Sequence, residues 1–247
     1  MKTVTSEQLR HRMIRSLVAG AIFVVCAAGT FYAIRHEMPV DGLPRTLRSA
    51  QVFNESVGRK LYSNQNRAPL KPVPQGRAPR VNGLIGLESD VDSAGYHVKV
   101  ESGATRLAPS IDELMALPRT ESSTDFKCVE GWTEVFHYAG VKFSDFMTAY
   151  KVGRHEDGSL FPYVGLEPPD GDYYVSIDIE SMMNDQTVLA FEMNGGELSL
   201  ENGYPIRLMI PNKYGIKNLK RIGRIFFSDT RPPDYWHRRG YDWYSSL

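Results

Sequence analysis

Apolar and polar residues alternate mainly in the C-terminal two-thirds of the chain, from about residue 81 onward. Alternation with a period of two is typical of a strand with one buried face. In "YPIRLMIP" it places Ile206, Leu208 and Ile210 on the same face. Turn residues, such as "NGG" at 194–196, separate the apolar runs. The strands predicted in this way lie at 96–100, 172–179, 187–193, 204–211 and 221–227.

Two helices interrupt the strands. In "PSIDELMALP" (109–118), Ser110 and Glu113 have the spacing of a capping box, and Pro118 is expected to end the helix. "VKFSDFMTAYKVG" (141–153) predicts a second helix ending at Gly153. Many short strands with a few short helices indicate a β-rich α+β domain over residues 81–247. The sequence shows neither a dinucleotide-binding glycine motif nor a phosphate loop.

The N-terminal pattern is different, because residues 17–34 form an uncharged run of 18 residues. A run of this length can cross a bilayer as a helix, so we predict a transmembrane anchor at 16–35. The basic residues Lys2, Arg10, Arg12 and Arg15 precede it. The positive-inside rule therefore predicts residues 1–15 in the cytoplasm and the rest on the outer, periplasmic side. The alternative is a cleaved signal peptide. No consecutive arginine pair precedes the run, so a twin-arginine export signal is not evident.

Residues 36–80 are rich in proline, arginine and asparagine. Prolines at 69, 72, 74 and 79 favour an extended chain, so this segment is predicted to be an extended linker between the anchor and the domain.

Charge narrows the possible partners. The 29 lysines and arginines equal the 29 aspartates and glutamates, so no overall field attracts nucleic acid, and nucleic-acid binding is not expected. A local basic segment does exist at 207–224. It suits a phosphate ligand, although a solvated basic face is the alternative. Its cations are Arg207, Lys213, Lys217, Lys220, Arg221 and Arg224.

Cysteine usage raises a separate question. Cys26 lies in the apolar N-terminal run, so Cys128, in "FKCVEGW", has no cysteine partner within the domain. Cys128 is then a buried packing residue, a nucleophile assisted by His137, or a ligand of a metal whose other sulfur ligands come from an organic cofactor. The aromatic tail at 231–247 is expected to dock onto the domain through its tryptophans, with arginines stacked on the rings.

From about residue 81 to the end, the chain resembles the sulfite oxidase family of molybdenum enzymes. The resemblance is carried by "FKCVEGW", "DYYVSIDIESMMNDQTVLAFEMNGGEL", "ENGYPIRLMIPNKYGIKNLKRIGRI" and "YWHRRGYDW", in this order. It implies a molybdenum–molybdopterin cofactor whose metal is held by the pterin dithiolene and by one protein cysteine, here Cys128.

The resemblance also implies roles for residues that match the family motifs. Asn202 and Arg207 of "NGYPIR" correspond to contacts with the pterin and its phosphate, and Asn82 to a residue at the cofactor edge. Tyr173 stands where sulfite oxidases have an active-site tyrosine, and Lys217 where they have a substrate-binding arginine. The loop that follows the phosphate contact contributes Asn218, Leu219 and Lys220.

The cysteine loop departs from sulfite oxidases, which follow the ligand with glycine, asparagine and arginine. Its "CVEGW" is similar instead to bacterial periplasmic protein-methionine-sulfoxide reductases, which generally carry a twin-arginine signal and lack the tyrosine. The sequence contains no C-x-x-C-H haem motif, so electrons are expected to pass through a separate haem- or quinone-linked subunit. The predicted activity is oxygen-atom transfer at the membrane, as reduction of a small S- or N-oxide. A sulfite-type oxidase acting on an oxyanion and a non-catalytic scaffold subunit are the alternatives.

Overall fold

A computed structural model describes residues 5–40, 42–63, 65–74, 76, 78–92 and 95–247. Residues 1–4, which include Lys2 of the predicted cytoplasmic segment, lie outside this description. The chain divides into two compact units, Met1–Val52 and Phe53–Leu247. The two units are described separately below.

The first unit contains the apolar helix α1 (Ser6–Arg35), which begins with a capping box between Thr5 and Gln8. No residue of α1 is buried, and the helix is long and apolar enough to cross a membrane. A short hairpin of β1 (Pro39–Val40) and β2 (Leu43–Pro44) follows.

Helix α2 (Arg45–Leu61) begins in the first unit and continues into the second. The prediction of an extended linker over residues 36–80 is therefore wrong for this stretch. The sequence between Arg45 and Val57 contains neither proline nor glycine, and a helix can form there without losing a backbone hydrogen bond.

The proline-rich part of the predicted linker is extended, but it lies against the second unit. The backbone N–H of Lys71 donates to the carbonyl of Ser123, and Leu70 forms an isolated antiparallel β-bridge with Thr124. The side chain of Gln186 bonds both the N–H and the carbonyl of Ala68. This segment therefore forms hydrogen bonds with the domain. The compact unit starts at Phe53 rather than at residue 81.

Two five-stranded β-sheets form the framework of the second unit, in agreement with the β-rich α+β prediction. The first sheet has the antiparallel order β10–β9–β6–β5, and β11 pairs with β9. The second has the order β4–β3–β12–β7–β8, in which β3 and β12 are parallel and the other pairs antiparallel. The strands are β3 (Lys99–Ser102), β4 (Thr105–Leu107), β5 (Arg119–Lys127), β6 (Thr133–Lys142), β7 (Tyr163–Glu167), β8 (Val175–Asp178), β9 (Val188–Met193), β10 (Gly196–Glu197), β11 (Arg207–Met209) and β12 (Arg224–Ser228).

The main core joins side chains from both sheets. Ile206, Leu208 and Ile210 belong to it and are fully buried, so the predicted alternation is confirmed. Met209, on the other face of β11, belongs to a second cluster with Phe136 and other residues of the first sheet. Phe126, two residues before Cys128, packs against this second cluster.

Three short helices complete the domain, namely α3 (Ile111–Met115), α4 (Phe143–Tyr150) and α5 (Ile179–Met182). The capping box of Ser110 and Glu113 at α3 is confirmed. Helix α4 ends earlier than predicted, because Lys151 adopts the left-handed conformation at φ 53°. Gly153 instead allows a close approach, since a Cβ there would lie 2.3 Å from Cε of Met147.

Candidate active site

Cys128 follows the last residue of β5 and opens a tight loop into β6. Its N–H donates to the carbonyl of Trp132 at 3.0 Å, and its own carbonyl accepts from Gly131 at 3.1 Å. Gly131 has a φ of 89°, which a residue with a Cβ rarely adopts. The ring of Trp132 stacks on Phe126 at 5.7 Å between centroids. The sequence "FKCVEGW" thus builds a rigid loop that presents a single thiol.

The loop closes one side of a cavity of about 270 Å³. Cys128 lies in the wall, with 4% of its surface exposed. Six of the cavity's eighteen lining residues are aromatic, and six are polar or charged. The aromatic lining residues are Phe126, Trp132, Phe136, Tyr173, Trp236 and Tyr241. The polar or charged ones are Arg80, Asn82, Glu130, Arg207, Asn218 and Lys220.

The thiol of Cys128 is held in its neutral form. Burial raises its pKa, and the negative charge of Glu130 acts in the same direction. Asn82 Nδ2 donates to Sγ at 3.2 Å, which favours the thiolate but does not outweigh burial. A thiolate at this position therefore needs a bound cation such as a metal ion.

The alternative of a nucleophile assisted by His137 finds no support in the geometry. Phe136 faces the cavity, and adjacent side chains on a strand point to opposite faces, so the imidazole of His137 points away. His137 lies instead 3.8 Å from the carboxylate of Glu121.

Arg207 is a buried cation in the cavity wall, with 2% of its surface exposed. Its Nη1 donates to the carbonyl of Asn202 at 3.0 Å, while Nε has no hydrogen-bond partner among the described residues. Burial lowers its pKa to about 10. Within the described part of the chain no carboxylate forms an ion pair with it. A buried guanidinium in this state favours an anionic ligand in the cavity.

Lys220 is a second cation in the same wall. Its Nζ donates to the carbonyls of Asn82 at 2.7 Å and Gly83 at 2.8 Å. Burial, together with the positive charge of Arg207, lowers its pKa to about 7. Two buried cations that donate only to carbonyl oxygens fit a phosphate, which would also favour the charged form of Lys220.

Lys217 is not brought to the cavity. Its Nζ pairs with Asp234 at 2.5 Å and donates to the carbonyl of Ser176 at 3.1 Å, and the residue is 1% exposed. The lysine is therefore committed to a buried ion pair behind the cavity wall.

Of the remaining predicted residues, Asn218 and Tyr173 line the cavity, whereas Asn202 and Leu219 lie behind it. Asn218 uses its side chain to hold its own loop, through the N–H of Ile210 and the carbonyl of Tyr214.

Tyr173 donates its hydroxyl to the carbonyl of Ile216, and burial raises its pKa. Asn202 is buried, and its Oδ1 has no partner among the described residues. Leu219 is fully buried, and its carbonyl accepts from the N–H of Leu208.

The structure also shows that the basic segment at 207–224 is not a solvated face. Arg207, Lys213, Lys217 and Arg221 are each at most 2% exposed. Arg221 satisfies its guanidinium on backbone carbonyls, including those of Leu87 and Ser89. The aromatic tail docks as predicted, with Trp243 buried and the Arg231 guanidinium 4.1 Å from its ring centroid.

Several lining residues were missed by sequence reasoning. Arg80 places its guanidinium 4.4 Å from the ring centroid of Trp132, and Glu130 accepts from Trp132 Nε1 at 2.9 Å. Trp236 closes another side of the cavity. Glu130, Trp132 and Trp236 stand inside the quoted motifs, which was a usable signal, whereas Arg80 lies in the proline-rich stretch and had none.

The cavity's donors fit a large anionic cofactor that carries its own metal ligands. The described residues contain no group of three or more histidine, cysteine, aspartate or glutamate side chains able to hold a metal ion. A metal bound here would take one soft ligand from Cys128 and the rest from its cofactor. The cofactor's phosphate would meet Arg207 and Lys220.

Comparisons with known proteins give the same result. The family described as "Oxidoreductase molybdopterin binding domain" matches residues 86–236. The chain is 34% identical over 208 residues to YedZ1 of Azospira oryzae, covering 83% of this chain and 77% of that protein. The name of that relative, which is provisional, makes it a protein-methionine-sulfoxide reductase subunit. It is also 32% identical over 133 residues to the uncharacterized oxidoreductase YuiH of Bacillus subtilis, covering 53% of this chain and 64% of that one.

Among solved structures, the sulfane dehydrogenase SoxCD of Paracoccus pantotrophus shares the fold, with a TM-score of 0.50 and 21% identity. The match covers 58% of this chain and 40% of the SoxCD chain. The resemblance to the sulfite oxidase family is thus confirmed. The chain belongs to the molybdopterin-binding oxidoreductases of that family and is an oxidoreductase that uses the molybdenum cofactor.

Proposed function

We propose that this chain is the catalytic subunit of a membrane-anchored enzyme that transfers an oxygen atom, reducing a small S- or N-oxide. The observation that carries the proposal is the cavity beside Cys128. It combines one buried thiol with two cations that lack carboxylate partners among the described residues, and six aromatic side chains also line it.

In this proposal Cys128 ligates the molybdenum, and Arg207 and Lys220 bind the phosphate of the pterin. Asn82 orients the sulfur through its 3.2 Å contact with Sγ, and Asn218 shapes the cofactor loop. Asn202 acts through its carbonyl, which fixes the Arg207 guanidinium, and Leu219 through its backbone. The bound cofactor supplies a metal centre that exchanges an oxygen atom and two electrons.

The substrate side of the cavity favours a neutral molecule. Lys217, the counterpart of the substrate-binding arginine in sulfite oxidases, is committed to Asp234. Arg80 lies over Trp132, where its guanidinium forms a cation–π interaction with the ring. A sulfoxide with apolar substituents can pack against Trp132 and Trp236, whereas sulfite would lack the cation that sulfite oxidases provide. The geometry therefore opposes the sulfite-type alternative.

Reduction of a sulfoxide needs two electrons and two protons and yields a thioether and water. Glu130 is the carboxyl group in the cavity wall, and the Trp132 indole N–H fixes its position. We assign it the delivery of protons to the departing oxygen. Tyr173 is a poor proton donor because burial raises its pKa, and its hydroxyl is engaged with the Ile216 carbonyl. Its role in the proposal is to form the wall and hold that loop.

The electrons come from a separate haem- or quinone-linked subunit, since the sequence contains no C-x-x-C-H motif. Helix α1 anchors the chain in the inner membrane as a single pass, with the domain on the periplasmic side. The relative from Azospira oryzae is itself named as a subunit, which supports a complex.

Metal analysis combined with turnover tests this function. Protein purified from cells with full cofactor supply should contain about one molybdenum per chain, the stoichiometry set by a single thiolate ligand. With a reduced viologen as electron donor, it should reduce aryl methyl sulfoxides and leave sulfite unoxidised when an electron acceptor is supplied. Protein without molybdenum would point to the scaffold alternative, and sulfite oxidation as the faster reaction would point to a sulfite-type enzyme.

A further inference from the structure

The second half of α2 packs on the domain through one face. Glu55 is 6% exposed and pairs with the guanidinium of Arg231. A Cβ on Gly58 would lie 3.1 Å from a ring carbon of Tyr244, so the helix backbone runs close to that ring. The Arg59 guanidinium lies 5.9 Å from the centroid of the same ring. These contacts fix the rotation of the helix about its axis.

The opposite face is apolar and open. Phe53, Val57 and Leu61 are 68%, 39% and 75% exposed. Because residues four apart lie on the same side of a helix, these three form one stripe, called the apolar stripe below. Ala50 and Leu47, which precede Phe53 at intervals of three residues, are also exposed.

Charge on α2 has one sign at the surface. Its only acid is Glu55, which is buried against Arg231. The exposed charged residues of the helix are Arg45, Arg59 and Lys60. An amphipathic helix with an apolar stripe and cations on its polar side is typical of segments that lie in a membrane interface, where anionic headgroups attract the cations.

The position of α2 in the chain favours the same occupant. Helix α1 ends at Arg35 and α2 begins at Arg45. The nine residues between them can span at most about 35 Å, so a chain anchored through α1 keeps the start of α2 near the bilayer. Met38, in this short connection, is 84% exposed, and the exposed apolar residues therefore continue between the two helices.

We propose that α2 is an interfacial helix whose apolar stripe lies in the headgroup region of the membrane. The stripe would enter the lipid by roughly 5–10 Å and hold the domain against the bilayer. Transfer of phenylalanine, valine and leucine side chains out of water is favourable, so lipid is a better environment for the stripe than water. This inference rests on the anchoring by α1 that forms part of the proposed function.

Site-directed spin labelling of the full-length, cofactor-loaded protein tests the inference. In a Cys26→Ala background, Phe53→Cys and Leu61→Cys place a nitroxide on the stripe. Val52→Cys is the matched control, because Val52 is a 55% exposed apolar residue of the same helix, about 140° around the axis from Val57. The background protein without an added cysteine reports any labelling of Cys128.

The labelled proteins are reconstituted into vesicles of phosphatidylcholine and phosphatidylglycerol. We expect both stripe labels to be relaxed several-fold more by oxygen than by a water-soluble nickel chelate, and the Val52 label to show the reverse. Equal access of nickel to all three labels, in protein that resists extraction by high salt, would overturn the interfacial helix and leave the anchor intact. Stripe labels that become protected only in native membranes would assign the stripe to a protein subunit.

Protein that does not float with the vesicles would overturn the anchor itself, and with it this inference.

Discussion

The setting of Cys128 is unusual for a packing cysteine. The residue is nearly buried, yet its sulfur faces a cavity and accepts a hydrogen bond from Asn82. Burial raises the pKa of the thiol, so the protein alone does not produce a thiolate there. A residue of this kind is suited to a soft metal that stabilises the deprotonated sulfur.

We expect Cys128→Ser to lose the native molybdenum signal in electron paramagnetic resonance and to lose turnover. A hydroxyl is a poorer ligand for a metal that takes thiolate, while the small change in size costs little packing. Circular dichroism should show a folded domain. Cys26→Ala is the control, because Cys26 lies in α1 and should leave both readouts unchanged. A Cys128→Ser protein with the wild-type signal would contradict the ligand assignment.

Arg207→Met should reduce cofactor retention by about tenfold or more, which corresponds to about 1.4 kcal/mol per factor of ten. The substitution leaves the buried phosphate without its guanidinium partner. Lys220→Met should act in the same direction but less strongly, because an ammonium lacks the bidentate geometry of arginine. The measurement is the molybdenum-to-protein ratio after gel filtration.

Lys127→Met serves as the control for that pair, since Lys127 is an exposed lysine next to Cys128 and does not line the cavity. Equal cofactor content in all four proteins would mean that neither cation binds the phosphate.

Lys220 also predicts a dependence of stability on pH. Its pKa is about 7 in the cofactor-free fold and 10.5 in the ordinary reference state. Between these values the unfolded chain binds more protons than the folded one, so the stability of the cofactor-free protein rises from about pH 7 toward about pH 10. A bound phosphate favours the charged lysine and should flatten this slope.

The melting temperature of cofactor-free and loaded protein, measured at about pH 7 and about pH 9, checks this expectation. Lys220→Met should reduce the rise in the cofactor-free protein without abolishing it, because burial also lowers the pKa of Lys213, to about 8. A cofactor-free protein that is less stable at the higher pH would show the opposite sign and contradict the prediction.

At the scale of single residues, the sequence motifs predicted the site residues whose positions are set by their neighbours in the sequence. Cys128 follows a strand, and Arg207 and Lys220 lie in one motif, so a shared site for the three was predictable from the motifs. Lys217 was assigned to the cavity because its motif matched, but its direction depends on Asp234, seventeen residues away in sequence. Arg80 reaches the site through tertiary packing that no local pattern records.

At the scale of elements, the Lys217–Asp234 ion pair joins two walls of the cavity. The loop at 215–220 contributes Ile216, Asn218 and Lys220, and the segment after Asp234 contributes Trp236 and Tyr241. Asp234 also accepts from the N–H of His237, so its carboxylate organises the start of that segment. The ion pair therefore holds the loop at 215–220 against the segment that carries Trp236 and Tyr241.

We expect Lys217→Met to lower the free energy of unfolding by about 3–5 kcal/mol, because it leaves a buried carboxylate without its partner. The double variant Lys217→Met/Asp234→Leu should recover much of this loss, since it removes both charges. Denaturant titration of the three proteins measures the effect. A rise in KM with unchanged stability in Lys217→Met would contradict this reading and restore the substrate-binding role.

Element prediction succeeded where the pattern was local. The capping box of α3 and the alternation along β11 depend on neighbouring residues, and both are confirmed. Helix α2 was not predicted, because the prolines on either side of it led to the prediction of an extended linker. The helix itself contains no proline between residues 45 and 61. The pairing of β3 with β12 was not predictable, since more than 100 residues separate the two strands.

For the whole molecule, sidedness is the property with the sharpest test. Arg10, Arg12 and Arg15 precede the apolar part of α1, which predicts that the domain lies outside the cytoplasm. Protease added to intact spheroplasts should digest the domain, and a cytoplasmic marker protein should survive as the control. Protection of the domain until the cells are lysed would place it in the cytoplasm, together with its electron donor.

The order of strands in the second sheet has a consequence for how this protein is made. β12 lies between β3 and β7, so before residue 228 leaves the ribosome, β3–β4 and β7–β8 are two hairpins with no strand to join them. Closing so long a loop carries an entropic cost that only pairing with β12 can offset. The second sheet therefore closes only after β12 has been synthesised, when α1 has long since emerged and become available to the membrane. A nascent chain can thus be threaded across a bilayer before the second sheet is complete, and cofactor insertion must wait for β12.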